Sequence, residues 1–151
     1  MERRSLRDIT AIVARAQAEY GGCFACGVDN PIGMRLGGFR LDESGWVEAD
    51  FVPRPDYRGA HESLHGGISA SAVDEILVWA GIVSEGVLTV TATLDLKYRR
   101  PISIHDAMVA RGRVEERRGR RLMVAGQLLV DGKTAVEGRG VYLVSRNLGE
   151  P

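Results

Sequence analysis

Gly67-Ile68-Ser69-Ala70-Ser71-Ala72-Val73-Asp74-Glu75-Ile76-Leu77-Val78-Trp79-Ala80-Gly81-Ile82-Val83-Ser84 is the stretch that decides the fold. Its apolar residues cover most of a helical circumference. A helix that is apolar nearly all round is buried nearly all round. Something must therefore wrap it, and its few polar groups, Ser69, Ser71, Asp74 and Glu75, each need a reason to be there.

The wrapping material follows at once. Residues 88–98 alternate without a break, with Leu88, Val90, Ala92, Leu94, Leu96 and Tyr98 on one side and Thr89, Thr91, Thr93, Asp95 and Lys97 on the other. That is a strand with its apolar side on a core. Three more strands are expected near 107–116, 121–130 and 134–144, with hairpin turns at Gly119 and Asp131-Gly132. Upstream, strands at about 35–41 and 46–52 flank the turn Asp42-Glu43-Ser44-Gly45. Before them lies a compact loop, 23–34, rich in turn residues. A helix over 3–20 comes first, with Leu6, Ile9, Val13 and Ala16 on one stripe and Gly21-Gly22 as its stop.

Consecutive hairpins imply a mostly antiparallel sheet. Gly112, Gly126, Gly138 and Gly140 sit inside strands, where glycine serves a bend or a close approach to the helix. The expected architecture is α+β: a curved antiparallel sheet wrapped around one long central helix, the hotdog arrangement, with an extra N-terminal helix. The expected divisions are an N-terminal helical extension at 1–22, the hotdog domain at 23–146 and a tail at 147–151.

Composition narrows the function classes. A chain of 151 residues fits one domain with a core of its own. Twenty Lys and Arg against twenty Asp and Glu leave no net attraction for nucleic acid or an anionic membrane. One helix before the strands does not make a helix-turn-helix reader. No uninterrupted apolar run reaches the ~18 residues of a membrane span. The basic start lacks the apolar stretch of a secretory signal. The expected location is cytoplasmic.

The sharpest chemical pattern is His65-Gly66-Gly67 followed by Asp74. The first N–H groups of a helix lack internal partners, and the dipole there favours negative charge. A carbonyl oxygen held at that end would be polarised as in an oxyanion hole. Asp74 is a carboxylate in the middle of an apolar helix, which is costly unless it is paired. Glu75 points about 100° away and is read as solvated or structural. Seven residues put Asp74 roughly 10 Å along the axis from Gly67. One substrate carbon cannot touch both, so a shared substrate requires the two groups to come from different chains of a two-fold dimer.

Three segments carry a resemblance. They are His65-Gly66-Gly67-x6-Asp74, Thr91-Ala92-Thr93-Leu94-Asp95-Leu96-Lys97-Tyr98-Arg99-Arg100-Pro101, and Cys23-Phe24-Ala25-Cys26-Gly27…Asn30-Pro31-x-Gly33-Met34. Together, and in this order, they are similar to the hotdog-fold acyl-CoA thioesterases of the PaaI-like and 4-hydroxybenzoyl-CoA thioesterase superfamily. The resemblance implies that Asp74 is the nucleophile or the base for water. It implies that Gly67 N–H polarises the thioester, His65 positions it and Thr91 orients the acid or the water. Gly66 and Asn30 are implied to be substrate-binding. Gly59-Ala60-His61-Glu62-Ser63-Leu64 departs from the glycine-rich approach common in that family.

Two further clusters bear on function. Cys23-x-x-Cys26 supplies two zinc-type ligands, but no second Cys or His pair stands at finger spacing, so no metal is expected and the thiols are read as buried and structural. Basic residues gather late, among them Lys97, Arg99, Arg100, Arg111, Arg113, Arg117, Arg118, Arg120 and Arg121. Arginine pairs well with phosphate, and coenzyme A carries a pyrophosphate and a 3′-phosphate. Arg99, Arg100, Arg118 and Arg120 are the candidate contacts.

The expected activity is hydrolysis of an acyl- or aryl-CoA thioester to free acid and coenzyme A, by a homodimer or homotetramer with sites shared between chains. No cofactor beyond the substrate's own coenzyme A is expected. The alternatives are a hotdog dehydratase or hydratase and a non-catalytic acyl-CoA-binding module.

Overall fold

A computed structural model of the chain describes residues 6–149, with side chains from residue 9 onward. α1 (Leu6–Glu19) is followed by β1 (Gly37–Leu41), β2 (Val47–Phe51), α2 (Gly66–Glu85), β3 (Val87–Tyr98), β4 (Met108–Arg118), β5 (Arg121–Val130) and β6 (Lys133–Asn147). The six strands form one antiparallel sheet in the order β1-β2-β4-β5-β6-β3. The sheet curls around α2, and the architecture is the expected hotdog. β6 runs to Asn147, so the tail expected from 147 starts inside the last strand. Residues 3–5 of the expected first helix lie outside the described residues. On α1, Ile9, Ile12 and Ala16 are buried against the core and Val13 partly so.

α2 begins one residue before the expected start and ends one residue after the expected end. His65 caps it, its Nδ1 accepting from Gly67 N–H at 2.8 Å. Gly86 stops it in the left-handed conformation, φ 65°, and donates to Ile82 O. By length and composition alone Gly66–Glu85 passes for a membrane span, with hydropathy 1.4. The sequence count missed this because Asp74 and Glu75 interrupt the apolar run. In the fold, 67% of that window is buried, because the sheet surrounds the helix.

The strand glycines show how the sheet approaches so closely. Gly112 pairs Gly126, and Gly126 pairs Gly138, so three glycines lie side by side across β4, β5 and β6. A Cβ on Gly112 would stand 2.8 Å from Ile76 O, and one on Gly126 would stand 2.6 Å from Leu77 Cδ2. One on Gly138 would stand 2.8 Å from Val73 Cγ1. The row is the channel in which α2 lies. The β5–β6 hairpin turns on Asp131 (φ 50°) and Gly132 (φ 76°), the two positive φ values of a two-residue type I′ turn.

β3 departs from the expected alternation. Val87 and Thr89 are buried, whereas Val90 is 61% exposed. The register then shifts: Thr91 pairs Tyr142 and Thr93 pairs Val141, leaving Ala92 as an extra residue. Such a bulge reverses which side each later residue faces. Before it, Thr89 and Thr91 face α2. After it, Leu94 and Leu96 do. Val141 N–H is not lost to the irregularity, since it donates to Thr93 Oγ1 at 3.3 Å.

Candidate active site

Ahead of the bulge, β3 presents a threonine, not an aliphatic side chain, to the helix acid. Thr91 Oγ1 donates to Asp74 Oδ1 at 2.8 Å. Tyr142, Thr91's cross-strand partner on β6, donates its hydroxyl to the same Oδ1 at 2.8 Å. Asp74 is half-buried, and its Oδ2 has no partner among the described residues. The carboxylate is therefore held by one oxygen and open at the other.

Tyr142 is fully buried. Burial, then the adjacent Asp74 charge and the hydrogen bond to it, hold its hydroxyl well above the usual phenol range. It stays protonated and donates. Gly140 makes room for it, because a Cβ there would lie 2.6 Å from Tyr142 Cε2. Tyr142 escaped the sequence reading: in Val141-Tyr142-Leu143-Val144 it looks like one more strand residue. The only signal was its even phase with the glycines 138 and 140.

At the helix start, the Gly67 N–H expected to polarise a carbonyl is already engaged by His65 Nδ1. The Gly66 N–H has no acceptor among the described residues. His65 is exposed, and Nδ1 is its accepting ring nitrogen. Tyr98 closes over this end, its hydroxyl donating to Gly66 O at 2.6 Å. A cavity of about 240 Å³ opens here between Gly66, Ser69, Tyr98, Arg99, Arg100 and Ile102. A larger one of about 510 Å³ lies on the outer face of the sheet, beside Trp46, Asp95 and Arg139, and touches neither Gly66 nor Asp74.

The arginines do not form one cluster. Arg99 and Arg100 line the cavity at the start of α2, and Arg99 is paired with Glu137 at 2.6 Å. Arg117 reaches Glu85 at the opposite end of the 20-residue helix, roughly 30 Å away, and Arg118 and Arg120 share its hairpin. Arg118 is paired with Glu116, and Arg120 donates to Val144 O. Arg111 and Arg113 stack on Trp46 at 4.5 and 4.6 Å from its ring centre. Both ends of the Asn30 amide are spent within its own loop, Nδ2 on Gly22 O and Oδ1 on Ile32 N–H.

Glu75 is buried, so its solvated reading does not hold. Its Oε1 accepts from Trp79 Nε1 at 3.2 Å and lies 3.7 Å from Cys23 Sγ.

The sequence model of the thioesterase superfamily matches residues 61–137, just over half of the chain, and the protein belongs to that superfamily. Known folds agree. The thioesterase superfamily protein RHA08564 is 24% identical, with a TM-score of 0.69 over 79% of this chain and 61% of its own. The chain thus spans under two thirds of that relative's length. A phenylacetic acid degradation-related protein from Ralstonia eutropha JMP134 is also 24% identical, with a TM-score of 0.63 over 72% of this chain and 84% of its own. Smu.793 from Streptococcus mutans UA159, solved bound to acetyl-CoA, is 16% identical, with a TM-score of 0.66 over 74% of this chain and 91% of its own. No curated protein matches the chain.

Proposed function

We propose that the protein is an acyl-CoA thioesterase that hydrolyses an acyl- or aryl-CoA thioester to free acid and coenzyme A. The observation that carries this is Asp74, fixed at Oδ1 by two hydroxyl donors and open at Oδ2, on a helix whose first N–H is also open. A carboxylate and a helix N-terminus are sufficient for a thioester, because the departing thiolate needs no strong acid.

In this reading Gly66 N–H, rather than Gly67 N–H, polarises the carbonyl, and His65 acts as the cap that shapes this end. Asp74 serves as base for water or as nucleophile. Thr91 positions it. Asn30 shapes its loop and does not touch substrate. Acetyl-CoA bound to the Streptococcus mutans relative supports the coenzyme A part of the assignment.

The site is completed by a second copy. β3 is an edge strand of twelve residues with its outer side unpaired among the described residues. Antiparallel pairing of β3 with its two-fold mate would set the two α2 helices antiparallel. Asp74 of one chain then faces the helix start of the other, as the ~10 Å separation within one helix requires. The partner's 117–121 hairpin comes toward the same end. The reading invokes no cofactor, and a coenzyme A ester as substrate is consistent with the cytoplasmic location expected from the sequence.

The test is thiol release over a panel of acyl- and aryl-CoA substrates, with an enoyl-CoA included. Release abolished by Asp74→Asn supports the reading. Hydration of the enoyl thioester without thiol release would establish the hydratase instead. Tight binding with neither reaction would establish a binding module.

A further inference from the structure

The sequence offers two thiols at Cys23 and Cys26 and no further ligand near them, but the fold supplies one from the middle of α2. Cys23 Sγ, Cys26 Sγ and a carboxylate oxygen of Glu75 all lie within 4.8 Å of one another. A tetrahedral zinc, with sulfur at about 2.3 Å and carboxylate oxygen at about 2.0–2.2 Å, spaces its ligand atoms by roughly 3.5–3.8 Å. The Cys23 Sγ–Glu75 Oε1 separation is already 3.7 Å. Cys26 and Glu75 are buried and Cys23 is half-buried.

Three features mark this as a built arrangement. The loop is closed tightly around the thiols: Gly27 N–H returns to Cys23 O at 2.9 Å, and a Cβ at Gly27 would meet Cys23 N at 2.4 Å. Glu75 is a buried acid whose partners are neutral donors, the Trp79 indole and the thiols. Such a carboxylate is costly unless a cation meets it. The Trp79 N–H occupies the place of the outer-shell donor that orients a ligating carboxylate.

We propose that Cys23, Cys26 and Glu75 bind one thiophilic divalent cation, zinc by its ligand chemistry, with a non-protein ligand in the fourth position. Binding displaces the two thiol protons, and the Glu75 proton where it is held, so two thiolates and a carboxylate face the dication. The site ties the 23–34 loop to the centre of α2, one residue from Asp74, and its role is structural.

The test uses the full-length protein, reduced with a non-thiol reductant, stripped by a chelator and titrated with cobalt and then with zinc. One cobalt per chain with a thiolate-to-cobalt charge-transfer absorption is expected, and zinc should abolish that absorption. Zinc should also raise the melting temperature and release protons. Glu75→Gln should weaken zinc by at least the ~10-fold that loss of an outer-shell partner costs. The Cys23→Ser, Cys26→Ser double variant should lose the absorption while circular dichroism confirms that it folds. Absence of the charge-transfer absorption in folded, reduced wild-type protein would overturn the proposal without depending on any variant. So would equal zinc binding by a folded double-serine variant.

Discussion

Thr91 and Tyr142 stand opposite one another in the β3–β6 register and give both hydroxyl protons to Oδ1 of Asp74. A hydrogen bond to a charged group contributes about 1.5–3 kcal/mol, or roughly 10- to 100-fold in rate where it orients the reacting group. Tyr142→Phe is therefore expected to lower kcat by about 10- to 100-fold while KM changes little. Thr91→Val should act in the same direction. Because both donors serve one oxygen, the double variant should fall short of the product of the single effects. Steady-state thiol-release kinetics on the three variants check this, and an unchanged kcat in Tyr142→Phe would remove its positioning role.

The same tyrosine sets an alkaline stability limit. Its folded pKa lies above the ordinary 10.0, through burial first and the Asp74 charge second. The folded state keeps a proton that the unfolded chain releases, so this contribution is complete below about pH 10 and is lost as pH rises toward the folded value. Tyr20, pushed up to about 12, acts in the same direction. Unfolding free energy should fall as pH rises from about 10 toward about 12, and less steeply in Tyr142→Phe. Urea titrations across that range read the difference. Parallel slopes would contradict it.

How much of this was legible depends on what kind of regularity wrote it. Periodicity exposed α2 and the hairpins, and the in-strand glycines correctly marked close approach to the helix. His65-Gly66-Gly67 and Asp74 stand out because spacing along one helix is spacing in sequence. What stayed hidden depends on register. Thr91 faces α2 ahead of the Ala92 bulge, which turns Leu94 and Leu96 toward the helix without leaving a mark in the alternation. Tyr142 reaches Asp74 from 68 residues away. Glu75 meets Cys23 across 52 residues. The arginines, near neighbours in sequence, are divided between the two ends of α2.

That division sharpens a binding experiment. Arg100→Ala, at the helix start, and a combined Arg118→Ala and Arg120→Ala, at the far hairpin, should each raise KM more than they lower kcat. Contacts to the substrate's phosphates are made equally in ground and transition states. A short thioester lacking the nucleotide should respond to neither. Equal sensitivity of the short and the full substrate would rule out phosphate recognition by these arginines.

Thr89 offers a stability test independent of function. Its buried Oγ1 has no hydrogen-bond partner among the described residues. Replacing that hydroxyl with a methyl removes an unpaired buried group that costs about 1–3 kcal/mol. Thr89→Val should raise the melting temperature by roughly 2–4 °C for each kcal/mol gained. A lower melting temperature would show that the hydroxyl is satisfied in solution.

The central claim is that one chain's helix start polarises the thioester and the partner's Asp74 attacks or activates water. Complementation tests it directly. One variant carries Asp74→Asn. The other carries Gly66→Trp, whose side chain is sized to fill the 240 Å³ cavity at the helix start; a Cβ there makes only ordinary contact with Tyr98, the nearest atom at 3.6 Å. Size-exclusion chromatography first establishes that both assemble. Each alone should be inactive. In a mixed dimer one site carries both lesions and the other carries neither, so an equal mixture, unfolded and refolded together, should recover about a quarter of wild-type thioester turnover. A mixture that assembles and stays inactive would place both groups in one chain and contradict the account.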